Sequence, residues 1–348
     1  VEIGRQRRYE LYNLFIQRPR MLVPRRHRYE VDEKIAYDGK VARKLDPKSV
    51  RHAVNQVKRA GAKAVAIGLL YSYKNSRHEK EVKRMLEKEC PEVFVTASHE
   101  IAPEYREYER ISTAVVNSVL MPIVSAYMNE LWKKIAALRI SSPLCIMQSS
   151  GGIASKDIIV KQPVSMIESG PTAGVIASAY YGELLGFDNI MSFDMGGTTA
   201  KAGVVRGGIP EVVTEYEVAG KVHSGRIVKG SGYPVRVSFV DLAEASAGGG
   251  TIAWIDEGGA LRVGPLSAGA DPGPACYGKG EDPTVTDANL ILGRLNPKYL
   301  LAGKMKIHAE LSKKATEDKI CSKTGLNLTE AAAGIVRVVN SSMAKILR

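Results

Sequence analysis

The feature that most constrains the fold is an alternation of strand-like and helix-like segments in the first hundred residues. Residues 64–70 form an apolar run typical of a strand that is covered on both faces. The segments on either side, residues 47–61 and 76–90, carry apolar residues at helical spacing, and residues 93–98 return to a strand pattern. This alternation predicts a layered α/β domain.

The pattern continues with longer elements. Residues 29–36 are predicted to form a strand, and residues 144–148 another. A long helix is predicted to begin at Tyr108 and to be interrupted at Pro122, because proline removes a helical hydrogen bond. A helix rich in small residues is predicted over residues 172–185.

The second half is predicted to open with an antiparallel meander of three strands joined by tight glycine turns. These strands span residues 189–194, 200–206 and 211–218. Near the end of the chain, Thr329 is predicted to cap a final helix. We therefore predict two domains, an α/β domain over residues 1–165 and a second over residues 166–348.

Composition narrows the classes of function. The net charge is +12, and eight arginines lie between Arg5 and Arg28, a pattern that also occurs in proteins that bind nucleic acid. No nucleic-acid recognition motif accompanies them, and nucleic acid is not the expected partner. The sequence contains no uninterrupted apolar run of about 18 residues, and its four cysteines are widely spaced. We expect a cytoplasmic protein with reduced thiols and no membrane association.

The most informative motif is residues 193–201, a strand that ends in Asp194 and is followed by Gly196, Gly197, Thr198 and Thr199. Glycines allow backbone amides to approach phosphate oxygens, and threonine hydroxyls can donate further hydrogen bonds. A carboxylate beside them can hold hydrated Mg²⁺ or orient a water molecule. A glycine-rich hairpin turn with no ligand is the alternative.

These nine residues resemble the second phosphate loop of the actin, Hsp70 and sugar-kinase superfamily, in the form used by the hydantoinase A / 5-oxoprolinase family. Further segments resemble that family in the same order: Ile3 to Gln6, Glu104 to Arg110, Met147 to Gly152, Ser169 to Pro171, Ser267 to Tyr277 and Pro283 to Gly293. The resemblance covers essentially the whole chain. It implies an actin-like, ribonuclease H-like α/β fold with two lobes.

The resemblance also implies an activity. Family members use ATP, with Mg²⁺ or another divalent metal, to open a cyclic amide such as hydantoin, N-methylhydantoin or 5-oxoproline through phosphorylation of the carbonyl oxygen. It further implies a hydantoinase B-type partner subunit, and self-association is an open alternative. Two other functions stay open: a subunit of an ATP-dependent acetone or acetophenone carboxylase, and a non-enzymatic nucleotide-binding module.

Two family motifs are absent from these 348 residues: the first phosphate hairpin and the third nucleotide-binding glycine motif. The sequence also opens without methionine and closes within a helical pattern. We therefore expect both ends to be cuts, the fold to be incomplete and the fragment alone to be a weak or inactive ATPase.

A second glycine motif follows Asp241 and consists of Gly248, Gly249 and Gly250. By resemblance it is a loop that approaches substrate or nucleotide. Asp241, together with Asp194, is a predicted metal ligand and catalytic residue, and Glu244 is a second oxygen donor. In the family that this chain resembles, many members carry histidine where this chain has Ala243, which speaks against a histidine-based metal site. A solvated carboxylate pair is the alternative.

Five further residues have a functional and a structural interpretation. Asp271 is a predicted catalytic residue that orients water or substrate, or else it closes a turn. Lys201 is assigned to nucleotide binding, where it neutralises developing charge, or else it points into solvent. Asp287 is predicted to cap a helix over residues 288–294. Cys276 is interpreted as a buried structural thiol rather than a nucleophile, and His99 as a satisfied histidine rather than a cleft residue.

Overall fold

The computed structural model describes residues 10, 12, 14–16, 19–223, 226–228 and 230–348. The Ile3 to Gln6 motif therefore lies outside the described residues. The chain forms two compact units, and two segments of its second half return to the first unit, unlike the contiguous domains predicted from the sequence. The first unit contains the described residues up to 176 together with 212–221 and 227–240, and the second contains 177–211, 222–226 and 241–348.

The predicted α/β alternation is confirmed in the first unit. Its elements up to the first long helix are β1 (Lys34–Ile35), β2 (Val41–Arg43), α1 (Pro47–Arg59), β3 (Ala64–Ile67), α2 (Arg77–Glu89), β4 (Phe94–Ala97), α3 (Ser98–Ile101) and α4 (Glu107–Ala137). Strands β3 and β4 pair in parallel, from Ala64 opposite Phe94 to Ile67 opposite Ala97. The strand predicted over residues 29–36 is shorter, and only Lys34–Ile35 pairs with β2.

Local sequence explains the start of α1 and its buried face. Asp46 is the N-cap, and its carboxylate accepts hydrogen bonds from the amides of Lys48 at 3.0 Å and Ser49 at 3.2 Å. The inner face of α1 packs with α2 and β3 in one core. That core contains Val50, Val54, Val57, Ile67, Val82, Leu86 and Val95.

The interruption predicted at Pro122 is wrong. Helix α4 continues through Pro122. Proline removes one backbone hydrogen bond, but buried contacts on both sides, including Met121 and Met128, hold the helix together. Among the described residues, α4 is long and apolar enough to cross a membrane by length and composition alone. Core helices meet the same criterion. Buried Asn117 binds the Thr96 hydroxyl and the Lys161 carbonyl, both at 3.0 Å, as expected of a core helix.

The remaining elements of the first unit complete its core. They are β5 (Cys145–Met147), β6 (Ile153–Ser155), α5 (Lys156–Lys161), β10 (Val212–Val213), β11 (Tyr216–Val218), β14 (Tyr233–Val235) and β15 (Phe239–Val240), with α6 (Ser169–Leu185) carrying the chain into the second unit. The continuous strand predicted over residues 211–218 is wrong. Its two halves pair separately, β10 with β15 and β11 with β14, because their apolar residues pack around Phe239.

The second unit contains the predicted phosphate hairpin. Strand β7 (Ile190–Met195) pairs antiparallel with β8 (Ala200–Arg206), which also pairs with β9 (Ile209–Pro210) and β16 (Leu242–Ala245). Short strands β12 (Val222–His223) and β13 (Arg226–Ile227) precede β16 in the chain. The sheet order is β16-β8-β7, so β16 takes the place expected for residues 211–218.

A hairpin and a group of helices pack beside this sheet. They are β17 (Thr251–Ile255), β18 (Leu261–Ser267), α7 (Val285–Ile291), α8 (Ala309–Thr316), α9 (Ser322–Thr324) and α10 (Leu328–Leu347). Their core includes fully buried Ile320 and Ile335. The N-cap of α10 is Asn327, in a capping box with Glu330, rather than the predicted Thr329.

Candidate functional site

The turn between β7 and β8, residues 196–199, contains several hydrogen-bond donors that the described protein does not use. The Gly196 amide donates to the Thr199 carbonyl at 2.9 Å and closes the turn. Within the described chain, the amides of Gly197, Thr198 and Thr199 and both threonine hydroxyls have no partner. Residues 196–198 are exposed, and no atom lies within 4 Å of a Cβ added at Gly197. This phosphate turn is thus open and rich in donors, as an anion site requires.

The triple-glycine loop, residues 248–250, lies directly behind the phosphate turn. Its amides are all committed to protein acceptors: Gly248 to the Thr251 hydroxyl at 2.8 Å, Gly249 to the Gly196 carbonyl at 3.1 Å and Gly250 to the Gly197 carbonyl at 2.6 Å. A Cβ at Gly248 would lie 2.4 Å from the Thr198 nitrogen. Two of these amides, those of Gly249 and Gly250, thus support the phosphate turn, and the contact of Gly248, Gly249 and Gly250 with a ligand stays a prediction.

The start of α7 fixes the triple-glycine loop from its other side. The amide and hydroxyl of Thr286 donate to the Gly249 carbonyl at 2.7 and 2.8 Å. Buried Asp287 accepts five hydrogen bonds, from the Ala275, Cys276 and Thr284 amides and the Thr284 and Ser312 hydroxyls. The helix begins at Val285 with Thr284 as its N-cap, so the predicted capping role of Asp287 is corrected: Asp287 is the third helical residue of a capping box.

Cys276 is fully buried beside Asp287. Burial, and secondarily the Asp287 carboxylate, raises the pKa of the Cys276 thiol to about 12. The thiol is protonated near neutral pH, because its pKa lies far above that range, and a protonated buried thiol is a poor nucleophile. The burial of Cys276 agrees with its interpretation as a structural thiol.

Asp194 lies in a row of three charged residues that crosses the sheet. It is directly opposite Lys201, and Lys201 is directly opposite Glu244. Lys201 Nζ lies 3.3 Å from Glu244 Oε2, and the two side chains are only 8% and 17% exposed. Lys201 therefore does not point into solvent. Asp194 itself is exposed and lies two residues from the phosphate turn.

Asp241 lies apart from this row. It immediately precedes β16, three residues before Glu244, and its amide donates to the Glu211 carbonyl at 2.8 Å. At about 3.4 Å per strand residue, its backbone is roughly 10 Å along the strand from the Asp194 row. The register thus brings Glu244, rather than Asp241, into line with Asp194.

Asp271 borders a shallow groove in the second unit. The groove has a volume of about 380 Å³, and its lining includes Ile252, Ser267, Gly269 and Glu281. The Asp271 carboxylate is 77% exposed and pairs with Lys279 at 3.2 Å. The Ala268 amide donates to the Gly250 carbonyl at 2.8 Å, which joins the groove to the triple-glycine loop.

The donor set fits Mg²⁺ bound together with phosphate. No cluster of three or more His, Cys, Asp or Glu able to hold a metal occurs among the described residues. Magnesium does not need such a cluster, because it usually takes one or two carboxylates, phosphate oxygens and water. The exposed Asp194 carboxylate beside the open phosphate turn meets that requirement.

The first unit contains a buried charged cluster that sequence reasoning missed. Glu79, fully buried, accepts hydrogen bonds from the Leu69 amide at 2.8 Å, the Ser98 hydroxyl at 2.7 Å and His99 Nδ1 at 2.7 Å. Burial alone would raise the pKa of Glu79, but the bonds from His99, Leu69 and Ser98 together hold the pKa below its usual value. Arg110, whose pKa burial lowers, donates to Ser98 Oγ at 3.0 Å. His99 Nε2 is buried and has no hydrogen-bond partner within the described part of the chain, so the interpretation of His99 as a satisfied histidine is only half correct.

Together, the sheet and the phosphate turn define an α/β protein of the actin-like class. Residues 110–348 match the Hydantoinase/oxoprolinase family, and residues 1–90 match the Hydantoinase/oxoprolinase N-terminal region. The chain belongs to the hydantoinase/oxoprolinase family.

Relatives with established names include both amide-opening and carboxylating enzymes. The chain is 34% identical to the caprolactamase subunit alpha of Pseudomonas jessenii over 349 residues, which cover 100% of the chain and 48% of the relative. It is also 34% identical to the acetophenone carboxylase gamma subunit of Aromatoleum aromaticum, over 99% of the chain and 46% of the relative. The chain thus spans about half the length of these relatives.

Solved structures agree on the fold. The nucleotide-free structure of acetone carboxylase superposes with a TM-score of 0.77 and 26% identity, covering 91% of this chain and 44% of that chain. The ATP-dependent caprolactamase of Pseudomonas jessenii superposes with a TM-score of 0.72 and 35% identity, covering 96% and 47%. These neighbours confirm the actin-like α/β fold class predicted from the sequence.

Proposed function

We propose that this chain forms the nucleotide-binding part of an ATP-dependent enzyme that opens a cyclic amide. The observation that carries the proposal is the phosphate turn, whose free donors lie beside the exposed Asp194 carboxylate. The structural likeness to an ATP-dependent caprolactamase at 35% identity supports it.

The chemistry explains the need for ATP. An unstrained cyclic amide resists water because its resonance is lost on the way to the tetrahedral state. Attack of the carbonyl oxygen on the γ-phosphorus forms an O–P bond and releases ADP. The carbon bonded to the phosphorylated oxygen is then a better electrophile for water. After water adds, the ring C–N bond breaks and the nitrogen leaves as a protonated amine. A second water then hydrolyses the resulting acyl phosphate to carboxylate and phosphate.

The chain's own residues have defined parts in this scheme. The amides of Gly197, Thr198 and Thr199 bind phosphate oxygens, and their fixed positions reduce the cost of organising charge in the transition state. The Asp194 carboxylate holds the metal–nucleotide complex or orients water. Mg²⁺, when bound, would supply charge neutralisation for the phosphates. Partner subunits are also proposed, since the relatives include proteins named as subunits.

An ATP-dependent carboxylase subunit is the second candidate. It is favoured by the equal 34% identity to acetophenone carboxylase and caprolactamase subunits. Both reactions phosphorylate an oxygen derived from a carbonyl group, so the same phosphate turn serves either one. The absence of histidine at Ala243 speaks for the amide-opening candidate.

Product analysis separates the candidates. The enzyme is purified with every polypeptide that accompanies it and supplied with ATP, Mg²⁺ and one of several substrates: caprolactam, 5-oxoproline, hydantoin, or acetone or acetophenone with bicarbonate. A ring-opened product formed with ATP consumption supports the proposal. Carboxylated ketone supports the second candidate, and ATP-independent turnover of either kind contradicts both.

Asp194→Asn tests the proposed role of the carboxylate in that enzyme. Turnover should fall by about 100-fold or more, while ATP affinity stays within about threefold because the phosphate-turn amides remain. Asp188→Asn is the matched control, because Asp188 is an exposed aspartate just before the same strand. Near wild-type turnover of Asp194→Asn, with an unchanged thermal melt, would show that Asp194 only closes the hairpin.

A further inference from the structure

The groove that Asp271 borders lies directly beside the phosphate turn. A Cβ added at Gly250 would lie 3.1 Å from the Gly197 carbonyl oxygen in the turn, and also 3.1 Å from Ser267 Oγ in the groove lining. Both oxygens therefore lie around the same point on the Gly250 backbone. The groove volume of about 380 Å³ is within the range of small-molecule pockets, so a ring bound there would adjoin a phosphate group bound at the turn.

The charged side chains of the groove lining are all carboxylates, those of Asp271, Glu281 and Asp282. Asp271 pairs with Lys279 at 3.2 Å, and Asp282 pairs with Lys319 at 2.6 Å. Both lysines thus already have a carboxylate partner, whereas Glu281 is exposed and has no partner among the described residues. The five groups together sum to one negative charge.

The hydrogen-bonding groups of the lining are complementary to a cyclic amide. The Ser267 hydroxyl accepts from the Gly269 amide at 3.2 Å, and its own hydrogen has no acceptor among the described residues. This hydroxyl can donate to a ring carbonyl, and the Glu281 carboxylate can accept from a ring N–H. A carboxylate attached to the ring would instead meet carboxylates of the groove, and both lysines beside them are already paired.

We propose that the groove is the substrate site and that its negative charge selects uncharged cyclic amides over rings that bear a carboxylate, with Glu281 as the specificity-determining residue. This inference rests on the proposed function and narrows its substrates: caprolactam and hydantoin are favoured, and 5-oxoproline is disfavoured. The physical cause is repulsion between like charges, which at a separation of about 6 Å near a protein surface corresponds to roughly a tenfold change in affinity or more.

Two pairs of rings that differ in one carboxylate provide the test: 5-oxoproline with its carboxamide, and caprolactam with its derivative carboxylated beside the ring nitrogen. The enzyme is purified with every polypeptide that accompanies it, and kcat/KM is measured for each ring with ATP and Mg²⁺. A ring that is not opened is measured as a competitive inhibitor of one that is. In wild type, the uncharged ring of each pair should be favoured at least about tenfold.

Charge changes in the groove should shift this preference in opposite directions. Glu281→Gln should lower the preference for uncharged rings about tenfold, and Glu281→Lys about tenfold further, because each step makes the groove one unit less negative. Lys279→Met should raise the preference, because the Asp271 carboxylate loses its counterion. Glu257→Gln is the matched control and should leave the preference unchanged. Glu257 is exposed, has no partner among the described residues and lies in the turn at the far end of the β17–β18 hairpin.

Salt distinguishes an effect of charge from an effect of shape. High salt should reduce the wild-type preference, because exposed charges are screened. Equal use of both rings of a pair by wild type, preference for the carboxylated ring, or Glu281 variants that leave the preference unchanged would overturn the proposal. If thermal melts show that a Glu281 variant does not fold, Lys279→Met and the salt dependence decide. Failure of wild type to open any of these rings or hydantoin would instead count against the proposed function.

Discussion

The second unit contains two glycine motifs that look alike in sequence but differ in what their backbones do. In the phosphate turn, the amides of residues 197–199 have no partner among the described residues, and Gly197 faces open space. In the triple-glycine loop, all three amides donate to protein oxygens, and a Cβ at Gly248 would collide with the backbone of the turn. The phosphate turn therefore has space and free donors for a ligand, and the triple-glycine loop supports the phosphate turn.

The difference shows that a glycine can be required for two separate physical reasons. Gly197 leaves room for something that is not part of the chain, whereas Gly248 allows two stretches of backbone to touch. Neither residue has a positive φ, so space rather than backbone strain distinguishes them. Substitution by alanine should therefore separate the two roles.

The largest expected effect is that of Gly248→Ala. Its Cβ would lie 2.4 Å from Thr198 N and 2.5 Å from Gly197 C, and backbone atoms cannot rotate away as a flexible side chain can. We expect a loss of about 3 kcal/mol in the free energy of unfolding and loss of ATP binding. Chemical denaturation and calorimetry measure both. Wild-type stability would show that the two loops are not packed as described.

A smaller and different effect is expected for Gly197→Ala, which serves as the matched control. No atom lies within 4 Å of the added Cβ, so the free energy of unfolding should change by less than about 0.5 kcal/mol. The methyl group occupies the space expected for phosphate, and ATP affinity should fall about tenfold. Unchanged ATP affinity with unchanged stability would remove the turn from the nucleotide site.

Secondary structure was predicted correctly from the sequence where it depends on residues close together in the chain. Apolar periodicity predicted helices α1 and α2 and the β7–β8 hairpin, since each depends on nearby residues. It failed for residues 211–218, where packing around Phe239 splits one apparent strand between two partners. It also failed at Pro122, where tertiary contacts outweigh a helix-breaking residue.

The sequence predicted which segment forms the candidate site but not how its side chains are arranged in space. Asp194 and the phosphate turn follow from a short continuous segment. The Lys201–Glu244 pair depends on the register between β8 and β16, strands that are some forty residues apart in the chain, and periodicity carries no information about that register. The hydrogen bonds from the Gly249 and Gly250 amides to Gly196 and Gly197 likewise join residues that are distant in the chain, and a sequence pattern does not indicate them.

Amide hydrogen exchange with and without Mg²⁺ and ATP tests the central claim most directly. In the free chain, the amides of residues 197–199 should exchange fast and those of residues 248–250 slowly, because only the latter are hydrogen-bonded within the protein. Nucleotide should slow exchange at residues 197–199 and leave residues 248–250 nearly unchanged. Protection that appears elsewhere while residues 197–199 continue to exchange fast would contradict the assignment of the phosphate turn.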